Sequence, residues 1–464
     1  MSGDRPGRVS VSGHAGSALT FRATLAFYLP LALSVTILGM TRTTLNAGMG
    51  REATGASVQI GAFAAAVGLS WVLMAFVFPV REACLTFLRG PVTYRQLRRL
   101  CFLVGIAPAG VGGLVFFSPA GAAFLEVVMG LHGELREATL TAIQILCLSP
   151  PILAWQRFNQ GTLMWLRATR TLTWTSAAKY GLLVVVVLAL LLAGVRFTTA
   201  VAAWILNLAD ATEGLLLELV VLRVRRDLRG PEHPVSPGTF IRYFLPLGVR
   251  ELIMDCVRPV ISAALARLPQ PEVALAAYGV AIGLNQIVER PLFSFRHTAM
   301  ALVRDAQSSA LIRRFSIVTG WMILAIVLGV TWSPAIYWIC RGVLGLGPDL
   351  LEPSVWTTRI VLLEVTLQPT RAFYQGILLN GLRGWVLASS TVVRVTLAFL
   401  VGFIVGPRLP LSSWTIGGLA HLLAVIGETI VVNVRGKVAA RHLYETPRVV
   451  TPAQAFVPRD VEAD

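Results

Sequence analysis

Residues 180–195 read YGLLVVVVLALLLAGV, an apolar run without a single charge. About 20 such residues in a helix cross a hydrocarbon core about 30 Å thick, and this chain repeats the feature along its length. Apolar runs bounded by loop signals fall at about 22–46, 56–80, 98–117, 138–160, 173–194 and 199–222, then at about 240–266, 272–296, 314–336, 354–378, 385–405 and 412–434. They predict twelve transmembrane helices, here called segments 1 to 12. Only 14% of the 464 residues are charged and 55% are hydrophobic, against about 25% charged in an ordinary soluble domain. The mean hydropathy is +0.70. The expected class is an all-α polytopic membrane protein. The polar opening MSGDRPGRVSVSGHAGSA carries no apolar stretch beside a small-residue cleavage site, so no cleaved signal is expected.

The net charge of +16 invites a nucleic-acid reading, but the placement of the basic residues argues against it. They gather in short loops, LRGPVTYRQLRR, RVRRDLRG, RHTAMALVRDAQSSALIRR and VRGKVAARH, after even-numbered segments. Lys and Arg favour the cytoplasmic side of a membrane, so both termini are expected there, in a bacterial-type inner or plasma membrane, with no nucleic-acid partner. The five cysteines, Cys84, Cys101, Cys147, Cys256 and Cys340, are scattered, with no metal spacing and no structural disulfide expected.

The chain repeats itself. FYLPLAL (27–33) returns as YFLPLGV (243–249), 216 residues on, and from segment 2 onward the offset is 215. LRRL (97–100) matches IRRF (312–315), FSP (117–119) matches WSP (332–334), VMGL (128–131) matches VLGL (343–346), and FNQG (158–161) matches FYQG (373–376). Lys179 matches Arg394, and Glu213 matches Glu428. Six segments per repeat give both copies the same orientation, so the expectation is two parallel six-helix repeats related by an axis along the membrane normal, an architecture of transporters and flippases. The lobes would be 1–222 and 240–436, joined by a cytoplasmic linker at 223–239 (RVRRDLRGPEHPVSPG from 223 on) and followed by a polar tail, 437–464.

The repeat also serves as a control. Glu251, Asp255, Glu289, Arg290, Glu364 and Arg371 lie in segments 7, 8 and 10, where the first half has Val35, Gly39, Met74, Ala75, Ser149 and Gln156. A central charge costs about 2.5–3.5 kcal/mol on insertion scales and ordinarily faces a wet cavity or a partner. Glu251, Asp255 and Arg258 are spaced i, i+4, i+7, which on one helix makes a stripe; the expectation is that it faces the cleft between the lobes, with Arg371 and Glu364 nearby. The competing reading is structural ion pairs locking segments 7, 8 and 10. Pro259 predicts a kink after Arg258. His421 lies seven residues before Glu428 on the same face, and with Glu213 these make candidates for coupling to protons or sodium, the alternative being polar contacts within segments 6 and 12. No P-loop, H-E-x-x-H motif, nucleophile elbow or Gly-rich dinucleotide loop stands out, so neither an enzyme nor an ATP-driven pump is expected, and no cofactor or metal. Transport would draw on a gradient or run downhill.

The six-plus-six parallel repeat resembles the multidrug/oligosaccharidyl-lipid/polysaccharide (MOP) flippase superfamily, which includes the multidrug and toxin extrusion (MATE) transporters. Within it the chain looks most like the progressive ankylosis family, through LPLGV…CVRPVISAALAR (245–267), TRIVLLEVTLQPTRAFYQGILL (358–379), ASSTVVRVTLAFLV (388–401) and GGLAHLLAVIGETIVV (417–432), with a weaker echo in TLNAGM (44–49), which holds Asn46. The resemblance implies export of small organic or phosphate-bearing anions (citrate, pyrophosphate or nucleotide-like) by a monomer. By that likeness Arg258, Arg371 and Arg394 are anion-binding candidates, and arginine's planar fork suits phosphate and carboxylate. Glu251, Asp255, Glu289 and Glu364 fall outside the matching features and leave a proton- or sodium-coupled organic-cation exporter as the alternative. A lipid-linked glycan flippase is a third reading.

Overall fold

The structure is a computed structural model and describes residues 20–52, 55–88, 90–166, 169–224, 234–303, 305–380 and 384–445. The polar N-terminus, most of the linker and the end of the tail lie outside the described residues. The helices of the first half are α1 (Phe21–Gly50), α2 (Ala56–Met74), α3 (Val80–Phe87), α4 (Pro91–Phe116), the short α5 (Pro119–Ala123), α6 (Gly133–Leu146), α7 (Ser149–Trp165), α8 (Thr169–Leu192) and α9 (Thr199–Val224). Those of the second are α10 (Pro237–Asp255), α11 (Val257–Leu265), α12 (Pro271–Leu302), α13 (Ala306–Thr331), the short α14 (Ala335–Trp338), α15 (Pro348–Leu362), α16 (Gln368–Asn380), α17 (Gly384–Phe399) and α18 (Ser413–Glu445).

Each predicted segment is therefore one long helix or a broken pair. Segment 2 is α2 and α3, segment 4 is α6 and α7, segment 7 is α10 and α11, and segment 10 is α15 and α16. Among the described residues, seven helices are long and apolar enough to cross a membrane by length and composition, and the α6–α7 pair, bent by 40°, makes an eighth such span.

The breaks have a common cause. A proline donates no hydrogen bond to the carbonyl four residues back and collides with it. Pro150 and Pro151 open α7, Pro259 sits in the first turn of α11, and Pro369 follows the 3₁₀ turn Leu363–Thr366 that separates α15 from α16. The last two place freed backbone beside Asp255 and Glu364, at the depth where the charged residues lie.

α12 is the central element. It packs against α1 and α2 of the first half and against α15, α16 and α18 of its own. The largest core cluster runs through this joint, with Leu45, Met49, Ile60, Phe63 and Leu69 meeting the Ala274–Ile282 stretch. At the α1–α12 crossing a side chain on Gly39 would strike the backbone carbonyl of Gln286. Small residues allow such close approach, and in a bilayer the contact between helices rests on packing of this kind.

Candidate functional site

Glu213 on α9 and Glu428 on α18 are both buried, and each gathers donors from the two segments before it. Glu213 accepts from Gln156, from Gln160 at 3.2 Å and from Ser176 at 2.8 Å, and pairs with Lys179 at 3.2 Å. Glu428 pairs with Arg371 at 2.7 Å and Arg394 at 3.1 Å, and accepts from Gln375 at 3.5 Å. Gln156 and Arg371, Gln160 and Gln375, and Lys179 and Arg394 are equivalent at the 215-residue offset. The internal repeat is thus preserved in contacts as well as in letters.

The halves then diverge. In the second, Arg371 is 1% exposed and also lies 3.5 Å from Glu289. Glu289 accepts from Gln368 at 2.7 Å and from Asn285 at 3.4 Å; Asn285 donates to Glu364 as well. Glu364, fully buried, meets Nε2 of His421 at 3.2 Å, and Nδ1 of His421 meets the Tyr278 hydroxyl at 3.3 Å. Arg371, Arg394, Glu289, Glu364, Glu428 and His421 therefore belong to one continuous polar network linking α12, α16, α17 and α18. In it, both arginines already have carboxylate partners.

In the first half the equivalent ground is open. A cavity of about 160 Å³ lies there, lined by Gln156, Gln160, Lys179, Asp210 and Glu213, by Arg42 on α1 and Arg157 on α7, by Trp71 and Phe78, and by Gln286 and Arg290 of α12. It thus lies between first-half helices and the central helix of the second half. Both of its acids are held by Lys179, which is ion-paired to Asp210 as well as to Glu213. Among the described residues, Arg42, Arg157 and Arg290 have no carboxylate within ion-pair distance. Arg42 is buried and its Nη2 has no hydrogen-bond partner there, nor has Nε of Arg157, whose Nη1 donates to Gln160 at 3.1 Å.

Of the residues anticipated for substrate binding, Arg290 lines this cavity, as does the coupling candidate Glu213; Glu251, Asp255, Arg258, Arg371 and Glu364 do not. The single stripe expected of Glu251, Asp255 and Arg258 is interrupted, because α10 ends at Asp255 and a new helix, α11, begins at Val257 with Pro259 in its first turn. Arg258 stacks across the halves, its guanidinium 4.1 Å from the centre of the ring of Trp71, which lines the cavity. Glu251 lies 3.9 Å from Arg250, and Oδ2 of Asp255 is buried without a partner among the described residues. Asn46 donates to the Gly279 carbonyl at 3.2 Å and ties α1 to α12.

Arg42, Arg157 and Asp210 were missed as site residues, although a signal for two of them was available. At the repeat offset, Arg157 and Asp210 correspond to Ala372 and Val425. Comparing the halves in the first-to-second direction exposes them as charges peculiar to the first half. Arg42, whose counterpart is Arg258, carries no such mark.

No protein-family model matches the chain, and no curated protein matches it. Solved structures do. An inward-facing multidrug resistance MATE family transporter of the MOP superfamily aligns with TM-score 0.66 at 16% identity, over 90% of this chain and 99% of that one. The lipid II flippase MurJ, in an inward closed conformation, aligns with TM-score 0.59 at 12% identity, over 89% and 87%. A MOP superfamily transporter from Pyrococcus furiosus, described as having a binding pocket of reverse polarity that suggests a different function, aligns with TM-score 0.55 at 15% identity, over 91% and 97%. The chain is a multi-span integral membrane protein with the all-helical fold of these transporters.

Proposed function

We propose that this chain is an alternating-access transporter that carries a small organic or phosphate-bearing anion in the cavity between its halves. The observation that carries this reading is the presence of three arginines, Arg42, Arg157 and Arg290, around one cavity without carboxylate partners among the described residues. Guanidinium forks bind carboxylate and phosphate, and a buried cation without a counter-charge is costly, so an anion there stabilises what the fold leaves uncompensated. Arg42 and Arg157 belong to the first half and Arg290 to the second. An anion that touches all three favours whichever state brings them together, and a ligand shifts such an equilibrium only by its differing affinity for the two states. The resemblance to progressive ankylosis proteins favours citrate, pyrophosphate or a nucleotide as cargo. Glu213, Glu428 and His421 remain the coupling candidates, for protons or sodium, and the placement of the basic loops favours cytoplasmic termini. Arg371 and Arg394 act as structural cations in this reading.

Uptake of labelled citrate, pyrophosphate and ATP into proteoliposomes tests it. Arg157→Gln and Arg290→Gln each remove one charge-assisted contact, and each should weaken anion binding roughly tenfold or more. Unchanged transport of every anion by both folded variants would place the site elsewhere. Movement of tetraphenylphosphonium with no anion transport would favour the cation-exporter reading, with Asp210 and Glu213 as its acids.

A further inference from the structure

On the face where α1 ends, the two halves are tied by a pair of equivalent contacts. Arg51 follows α1, and Arg267 follows α11 at the end of segment 7, 216 residues later. The Arg51 guanidinium crosses to the second half, where Nη2 donates to the carbonyls of Val343 at 2.7 Å and Gly342 at 3.4 Å. Arg267 crosses the other way, its Nη2 donating to the carbonyls of Val128 at 2.7 Å and Val127 at 2.8 Å. Each arginine also braces itself on its own half: Nη1 of Arg51 on the Ala47 carbonyl and Nη1 of Arg267 on that of Ala263, both at 2.6 Å. The accepting carbonyls stand 215 residues apart, as do the π-helical turns Phe124–Val128 and Ile339–Val343 that present them.

The local chemistry explains why these carbonyls are available. A helix leaves its last carbonyls without internal partners, and the C-terminal end of its dipole attracts cations. In the first turn the carbonyls of Phe124, Leu125 and Glu126 are taken by the backbone N–H groups of Met129, Leu131 and Gly130. Those of Val127 and Val128 are left for Arg267. Each turn closes on a left-handed glycine, Gly130 at φ +72° and Gly345 at φ +70°. A side chain at Gly130 would run into Arg267, and one at Gly345 into the stem of Arg51. Glycine therefore does two things here: it permits the turn and leaves a seat for an arginine of the other half.

The cavity lies toward the opposite face. Trp71 and Met74 line it at the end of α2 farthest from Arg51, Phe78 just beyond that end, and Arg157 and Gln160 late in α7. We propose that Arg51 and Arg267 are paired latches that hold one face of the transporter shut, and that both must release before the cavity can open on that face. The proposal rests on the alternating-access reading but not on the cargo.

Double electron–electron resonance in lipid nanodiscs tests it without any substrate. Spin labels go on Glu134→Cys and Asp349→Cys, exposed and equivalent positions on the latch face, with the five native cysteines replaced by alanine. The parent should show a short, narrow distance. Arg51→Gln and Arg267→Gln should each raise the open-to-closed ratio roughly three- to tenfold, and the double variant by about the product. The two single variants should act about equally, because the Phe403 ring 5.5 Å from the Arg267 guanidinium belongs to the same half and need not part from it on opening. Gly130→Asn and Gly345→Asn keep both arginines but block their seats on a residue that tolerates the left-handed backbone, so they should widen the distance too. A folded double variant with the parent distribution overturns the proposal. So do folded glycine variants that leave the distance unchanged, even where the double arginine variant fails to fold. These outcomes leave the anion assignment standing, since a dead cavity variant with normal opening separates the two.

Discussion

Glu213 and Glu428 occupy equivalent positions but carry different charge loads. Among the described residues, Lys179 has a second acid, Asp210, within reach, whereas Arg394 has Glu428 alone and Arg371 has Glu289 only at 3.5 Å besides. Removing one partner of a buried pair exposes the other's full desolvation cost, about 3–5 kcal/mol. Glu428→Gln should therefore lower the apparent melting temperature in detergent well below that of Glu213→Gln, which leaves Lys179 paired. An equal or larger loss for Glu213→Gln would contradict this account. The sequence made both glutamates legible, because repeat matching singles out charges that recur. It also made Arg371 and Glu364 legible, because they are absent from the first half. It did not say that Arg371 would meet Glu428, since partners on segments 57 residues apart become neighbours only once α16 and α18 pack. Of the anticipated second-half arginines, Arg371 and Arg394 proved paired to carboxylates and Arg258 stacked on Trp71, while Arg290 joins Arg42 of α1 and Arg157 of α7 around the cavity.

At the scale of elements, the α1–α12 crossing fixes the width of the central joint. A methyl on Gly39 would meet a backbone carbonyl, which cannot rotate aside as a side-chain tip can. Gly39→Ala should push α1 from α12 and cost about 1–3 kcal/mol, as overpacking ordinarily does. Because Gln286 also lines the cavity, the same variant should weaken anion binding; thermal unfolding and binding measured on one preparation would show both losses or refute the coupling. Segment positions were readable from hydropathy alone, since bilayer thickness sets the length of each run. The interruptions were less so. Pro259 and Pro369 announce their breaks, but that the turn before Pro369 is 3₁₀ and sets Glu364 against His421 and Asn285 emerges only once the helices pack. The short π turns at Phe124 and Ile339 left no pattern beyond the VMGL and VLGL match, which marks where they end.

For the whole molecule, the charges around the cavity have an electrical consequence. Four cations, Arg42, Arg157, Lys179 and Arg290, face two acids, Asp210 and Glu213, leaving two positive charges when all are ionised. A cargo carrying two negative charges in the site, such as citrate bound with one proton, would bring the loaded site to neutrality, whereas the empty site keeps its surplus. Carrying one elementary charge through the membrane field is worth about 2.3 kcal/mol per 100 mV. The membrane potential should then leave the loaded reorientation nearly untouched and act on the return of the empty carrier. Exchange of a dianion for the same dianion, in which the site is loaded in both directions, should run at a rate independent of an imposed potassium diffusion potential. Net flux, which requires an empty return, should depend on it steeply. Potential-sensitive exchange would mean that the site is not electrically balanced by its cargo. On this account the protein would act as a voltage-dependent rectifier of its own cargo, with the rectifying charge carried by the arginines of the vacant carrier.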